Sequence, residues 1–180
     1  MRITISGPPG SGKTTVCKLL AARLGYRYVI SGIVFREMAA KLNLSLTEFG
    51  RLAQDDPKYD RMIDESMVAL AAADHDIVLE GRLAGHNLAR QKLLAFKVYL
   101  DADPMVRAAR ILEREKGDLR AVTTEMLDRE RCEADRYLQW YGIDVNDMSV
   151  YDLIVDTSNT PPEKVVEIIA KKLEGFPRPT

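Results

Sequence analysis

Cysteine is scarce in this chain: two residues, Cys17 and Cys132, stand far apart. Their spacing offers neither a disulfide framework nor a set of metal ligands, and it suits a reduced, cytoplasmic compartment. Long apolar runs are missing too; none approaches the roughly 20 residues of a membrane span. Neither sign of charge dominates, since 26 Lys plus Arg face 27 Asp plus Glu, so no bulk field draws the chain to nucleic acid or to a membrane. No internal repeat, low-complexity tract or interdomain linker interrupts it. The first strand begins at residue 2, which predicts neither a signal nor a transit peptide. What remains is 180 residues, 46% of them apolar, enough for one domain with a substantial core. Such a chain is expected to be a soluble monomer whose partners are small molecules.

Against this plain background one stretch stands out. Gly7-Pro8-Pro9-Gly10-Ser11-Gly12-Lys13-Thr14 fits the pattern G-x-x-x-x-G-K-[ST] without a mismatch. Arg2–Ser6 before it alternates β-branched residues, and after it Val16, Leu19, Leu20 and Leu24 recur on one helical face. Strand, glycine loop and helix follow in the order that a phosphate-binding loop requires. The glycines let successive N–H groups turn inward at a helix N-terminus, where they cradle phosphate oxygens. Lys13 adds a point charge for the β- and γ-phosphates. Thr14 offers a hydroxyl to Mg²⁺, which prefers oxygen ligands and arrives with the nucleotide. Gly7 to Thr14, with Thr15 beside them, are therefore the expected contacts for ATP.

Further along, Gly25 closes the first helix and 26–30 reads as a second strand. Residues 33–42 and 46–54 read as helices broken near Asn43, and Pro57 precedes a helix to Ala73 with Ile63, Met67, Leu70 and Ala71 in phase. Strands follow at 77–80 and 96–100. Asp103-Pro104 gives a cap and a first-turn proline for a helix to Lys116-Gly117. A second long helix is expected over about 123–141, a last strand over 152–156, and a final helix with Val165, Ile168, Ile169 and Leu173 inside. Thr160-Pro161-Pro162-Glu163 matches a capping box for it, and the tail after Gly175 is expected to fray. Five strands alternating with helices predict an α/β fold, a doubly wound five-stranded parallel sheet with helices on both faces. Ligands of such sheets sit beyond the carboxyl ends of the strands.

That rule selects Ser31, Gly32 and Arg36 after the second strand, Glu80, Gly81 and Arg82 after the third, and Asp101 after the fourth. Arg36 and Arg82 suit a second phosphate beyond the loop, because arginine matches phosphate bidentately. Two phosphate sites imply two substrates. Glu80 and Asp101 either hold Mg²⁺ through water, orient loops or serve as caps. Arg107, Arg110 and Arg114 share a helical face opposite Met105, Ala108 and Leu112, a like-charge stripe that an anion would relieve. In the next helix Arg131 interrupts the stripe Leu127, Ala134, Leu138, Tyr141, with Asp135 one turn on as a possible partner. The two helices read either as an exposed, charge-laced hairpin or as a lid whose arginines close over a transferring phosphoryl group.

Together, Gly7–Thr15, Ser31-Gly32-x-x-Phe35-Arg36, Leu79–Gly85, the arginine-rich stretch 107–136 and Tyr151–Ser158 resemble the cytidylate kinases of the short archaeal type. The resemblance spans nearly the whole chain. It implies a single nucleoside monophosphate kinase domain: a core of 1–30, 76–103 and 150–175, a helical block for the acceptor nucleotide at about 31–75, and a lid at about 104–141. It also implies Mg²⁺-dependent transfer from ATP to CMP or dCMP, with Lys13, Arg110 and Arg131 catalytic. Ser31, Arg36, Arg82 and Asp135 would bind the acceptor, and Thr14 the metal. Bacterial members carry aspartates where this chain has Ile30 and Leu83, so base recognition must differ; Asp60, Arg61 and Asp64 are candidates. The rival expectations are a kinase of the same fold for adenylate, uridylate or shikimate, and a nucleotide switch. No guanine-reading N-K-x-D supports the last.

Overall fold

The computed structural model describes residues 1–115 and 117–177. Five strands, β1 (Arg2–Ser6), β2 (Arg27–Ile30), β3 (Ile77–Glu80), β4 (Phe96–Asp101) and β5 (Leu153–Asp156), form one parallel sheet in the order β2-β3-β1-β4-β5. The first strand lies at the centre, with Ile3 between Val78 and Phe96. Because both faces of the sheet are covered, β1 and β3 are buried along their whole length, Arg2, Thr4 and Ser6 included, and alternation divides the apolar side chains between two cores. Val78 joins Ile3, Ile5, Val98 and Leu100 on one face, whereas Ile77 and Leu79 join Phe49, Ile63, Met67 and Leu88 on the other.

The first face is covered by α1 (Lys13–Leu24) and α8 (Pro162–Leu173). Helix α1 buries Val16, Cys17, Leu20 and Ala21, while Leu19, expected inside, is 36% exposed. The phase shift brings Cys17 onto the sheet, with its Sγ 3.9 Å from the Val78 carbonyl oxygen. Helix α8 begins with a first-turn proline, as expected, yet the capping box does not form: the cap is Pro161, and the Thr160 hydroxyl turns back to the Asp156 carbonyl (3.0 Å). A capping box is found instead at Ser45 and Glu48, where the Glu48 amide donates to Ser45 Oγ (3.2 Å) and the Ser45 amide to Glu48 Oε2 (2.8 Å). The tail does not fray at once, because Phe176 packs edge-on against Phe96 with 5.1 Å between ring centres; residues 178–180 lie outside the described residues.

The second face carries α2 (Ser31–Lys41), α3 (Leu46–Asp55), α4 (Pro57–Ala73) and the short α5 (Ala84–Arg90). Asn43, at φ 55°, breaks the chain between α2 and α3. Helix α5 has no counterpart in the sequence reading, for its residues 84–88 are buried all round and show no polar face to set a period. Beyond the sheet, α6 (Pro104–Glu115) and α7 (Leu119–Tyr141) pack as a hairpin over Ala108, Ile111 and Met126. Asp103 caps α6 by accepting from the Met105 amide (2.8 Å), as expected; the end expected at Lys116 lies outside the described residues. No helix among the described residues is long and apolar enough to cross a membrane.

Candidate active site

All five strands run the same way, so the segments after β1, β2, β3 and β4 gather on one rim. The loop after β1 takes a shape that only glycine permits at two points. Gly7 has φ 145°, and a Cβ there would overlap the Leu100 carbonyl; at Gly10, φ 79°, a Cβ would lie 2.7 Å from the Arg107 carbonyl oxygen. The loop is braced from within by Ser11, whose hydroxyl and amide both donate to the Pro8 carbonyl (2.9 and 3.3 Å). Lys13 Nζ donates to the same oxygen (2.9 Å). Burial beneath the loop pushes the Lys13 ammonium down to about 8, against the opposing pull of the Glu80 carboxylate.

Thr14 and Thr15 open onto a cleft of about 980 Å³ that runs from the loop to residues 157–162. At its floor the Thr14 hydroxyl donates to Glu80 Oε2 (3.2 Å). These two oxygen groups suit Mg²⁺ delivered with a nucleotide and still carrying water; among the described residues no cluster of three or more His, Cys, Asp or Glu side chains forms a resident metal site. Of the two strand-end carboxylates, Glu80 is the one that faces the loop helix, through the Thr14 hydroxyl. Asp101 ends β4 and its carboxylate accepts from the Ala102 amide (2.9 Å); the cap of α6 is Asp103.

The cleft continues into a pocket of about 350 Å³ between α2, α4 and α7. Ser31, Gly32, Arg36, Arg82, Arg129 and Glu133 line both spaces and mark the junction. Arg82 is held there by Glu133 (Nε to Oε2, 2.9 Å), and Arg129 by the other oxygen of the same carboxylate (Nε to Oε1, 2.8 Å). Burial alone would raise the Glu133 pKa, but the two guanidiniums outweigh it and hold the carboxyl below its ordinary range. Deeper in the pocket Arg136 Nε pairs with Asp60 Oδ2 (2.9 Å), and its guanidinium lies over the rings of Tyr137 and Trp140, 5.4 and 5.8 Å from their centres. Asp64 stands beside Asn87 and the Tyr141 hydroxyl, and burial pushes its carboxyl up to about 7. Of the three base candidates, Asp60 and Asp64 line this pocket, while Arg61 is exposed over the Tyr141 ring, 6.0 Å from its centre.

The late arginines are placed differently from the sequence reading. Arg107 does not share a cationic face with Arg110 and Arg114: it is buried, 5% exposed, and forms a two-pronged ion pair with Glu130 while donating to the carbonyls of Ala102 (3.0 Å) and Pro9 (3.2 Å). Its anion is a carboxylate of α7, and Met105, expected on the opposite, packed face, is exposed instead. Arg110 does reach the cleft, where it donates to Gly10 O (3.3 Å), Thr157 Oγ1 (3.1 Å) and Thr157 O (2.6 Å). Thr157 is itself buried and donates to the Ser11 and Asp101 carbonyls, both at 3.0 Å, so it knits β4, the loop and α6 together.

Arg131 is a correction. The face of α7 that turns inward carries Met126, Glu133 and Tyr137, while Leu127 and Leu138 are exposed; Arg131, on their stripe, is 75% exposed and lies 3.9 Å from Asp128. Its expected partner Asp135 is also exposed. Arg131 borders a separate space of about 460 Å³ that Arg82 also lines, and neither it nor Asp135 lines the cleft or the adjoining pocket. Arg129, two residues earlier, lines both.

Known proteins place this arrangement in context. The chain is 44% identical over 174 residues to the cytidylate kinase of Archaeoglobus fulgidus, covering 97% of this chain and 95% of that one. It is 48% identical over 157 residues to that of Methanothrix thermoacetophila, with 87% and 88% covered. Among solved structures, shikimate kinase from Bacteroides thetaiotaomicron superposes with a TM-score of 0.67 over 97% of this chain and 98% of that one; at 15% identity it shares the fold. Residues 2–159 match the cytidylate kinase-like family, and with a phosphate-binding loop facing an arginine-lined second pocket, the chain belongs to that family.

Proposed function

We propose that this protein is a cytidylate kinase, transferring the γ-phosphoryl group of ATP to CMP, and to dCMP, to give CDP and ADP. The observation that carries this reading is the continuity of the loop cleft with the arginine-lined pocket at Ser31, Arg36, Arg82 and Arg129. A donor in the cleft and an acceptor in the pocket meet there with their phosphates together. A phosphate oxygen of CMP attacks the γ-phosphorus in line, and the bond from that phosphorus to the β–γ bridging oxygen breaks as ADP leaves. No general base is needed, since a phosphate monoester is largely ionised at neutral pH; positioning and charge stabilisation carry the catalysis.

In this reading Gly7 to Thr15 hold ATP, and Lys13 exchanges the Pro8 carbonyl for phosphate oxygens. Arg110, braced on Gly10 and Thr157, covers the donor side, and Ser31, Arg36 and Arg82 take the acceptor phosphate. Thr14 and Glu80 would hold Mg²⁺, which neutralises charge on the β- and γ-oxygens when bound. Helices α2 to α4 act as the acceptor block and α6 with α7 as the lid, excluding water when closed. The inner wall sets Asp60 and Asp64 beside Arg136 and Asn87. The Asp60 carboxylate accepts from the amino group of cytosine and Arg136 donates to its ring nitrogen and carbonyl, whereas uracil would turn an oxygen toward that carboxylate. The free thiols Cys17 and Cys132 suit a cytoplasmic enzyme, and it acts as a monomer.

The test is direct. The protein is incubated with MgATP and, in turn, CMP, dCMP, UMP, AMP and shikimate, and ADP and phosphorylated product are measured. CDP formation with the highest kcat/KM is the expected result; a preference for AMP or shikimate, or no transfer to any acceptor, rejects the reading.

A further inference from the structure

We propose that Glu133 is a positioning residue for phosphoryl transfer, its one carboxylate aiming the guanidiniums of Arg82 and Arg129 at the junction of donor and acceptor phosphates. The proposal rests on the kinase reading above. Arg82 follows β3 and Glu133 lies on α7, 51 residues later, so the ion pair joins the core to the lid hairpin across the site. Both contacts use Nε, with one carboxylate oxygen for each arginine. Arg82, 18% exposed and held at Nε, keeps the plane and direction of a guanidinium whose fork matches phosphate, while Arg129, 68% exposed, is tied to the same carboxylate from one turn away on α7. The Glu133 side chain is only 10% exposed. The carboxylate lines the cleft and the pocket alike, and its charge reaches Lys13.

A buried anion at this point is costly in two ways. It must be desolvated, and it repels the phosphates of both substrates. A side chain needed only to fill space would be apolar. The carboxylate does what an apolar group cannot: it supplies the counter-charge that keeps Arg82 and Arg129 together before substrates arrive. The two guanidiniums are then in place when charge develops on the transferring group, and no reorganisation is left for that moment.

This gives opposite effects on binding and turnover. Glu133→Gln removes the repulsion and loosens the aim, so kcat falls while the KM values for ATP and CMP stay level or drop. A purely structural role predicts a lower thermal midpoint and raised KM values with kcat intact. The experiment measures kcat, both KM values and the thermal midpoint for the wild type, Glu133→Gln, Arg82→Met and the double variant. The expected loss in kcat for Glu133→Gln is roughly tenfold to a hundredfold, the scale of a misplaced catalytic group. It should shrink in the Arg82→Met background, where the arginine through which Glu133 acts is gone. A kcat within about twofold of wild type, or an equal loss in both backgrounds, overturns the proposal. If Glu133→Gln does not fold, Glu133→Asp, with the carboxylate set back by one methylene, enters the same comparison. A wild-type protein that fails to phosphorylate CMP shows instead that the kinase reading is wrong, before any variant is compared.

Discussion

The Thr14 hydroxyl donates to Glu80 Oε2 across 3.2 Å, tying the first turn of α1 to the last residue of β3 at the floor of the cleft. Two oxygen groups so close invite a hard cation arriving with the nucleotide. Glu80→Gln keeps the shape and removes the charge. The Mg²⁺ concentration for half-maximal transfer should rise about tenfold, in the range seen when a metal's supporting groups are removed. A magnesium titration at fixed ATP checks this, and an unchanged midpoint would separate Glu80 from the metal.

Lys13 carries a second expectation. With its pKa lowered to about 8 by burial, the side chain loses its proton in the free enzyme as pH climbs through that value. Bound phosphate favours the ammonium, so ATP binding should weaken above pH 8 and take up protons there. Calorimetry in buffers of different ionisation enthalpy measures both. Lys13→Met should abolish the proton uptake and lower turnover by roughly a hundredfold or more, as removal of a charge-stabilising donor does.

The two arginines Arg82 and Arg131 should behave differently. Arg82→Ala is expected to raise the KM for CMP at least tenfold, about the worth of a charge-assisted contact, with a smaller change for ATP. Arg131→Met should leave kcat within about twofold, because its side chain points to solvent beside Asp128. A large loss of kcat with ATP affinity kept would return Arg131 to the catalytic lid.

Asp64 links stability to pH. Burial raises its folded pKa from 3.8 to about 7, so the folded chain binds this proton more tightly than the unfolded one. The stabilisation is whole below the unfolded value and is lost as pH rises from about 4 to about 7. Asp64→Asn, which stays neutral, should match the wild type near pH 4 and exceed it at pH 8 by roughly 2–4 kcal/mol. Thermal unfolding across that range gives the comparison, and parallel curves would contradict the assignment.

The sheet, the loop and the gathering of polar residues on one rim were legible because they rest on local signals: short buried strands, a fixed glycine spacing, polar residues at strand ends. Helix α7 was legible as a helix but not in its orientation. Its sequence offers two stripes, Leu127-Arg131-Ala134-Leu138 and Met126-Glu133-Tyr137, and the first is the more apolar by count. The second is the one that turns inward, because Arg82 neutralises Glu133 from 51 residues away. A pairing so distant leaves no trace in helical periodicity. Arg107 was misread for the same reason, since Glu130 on the neighbouring helix supplies its anion. Helix α5 escaped because an element buried on all sides has no amphipathic pattern.

Trp140, the only tryptophan in the chain, lies against the same guanidinium that pairs with Asp60 in the pocket between α2, α4 and α7. The molecule therefore contains its own optical gauge. Any ligand that draws Arg136 away from the indole, or presses it closer, changes the polarity at a single fluorophore, with no other indole to dilute the signal. If CMP binds beside Arg136, as proposed, its occupancy is expected to be readable from intrinsic emission in the unmodified protein, on the time scale of mixing.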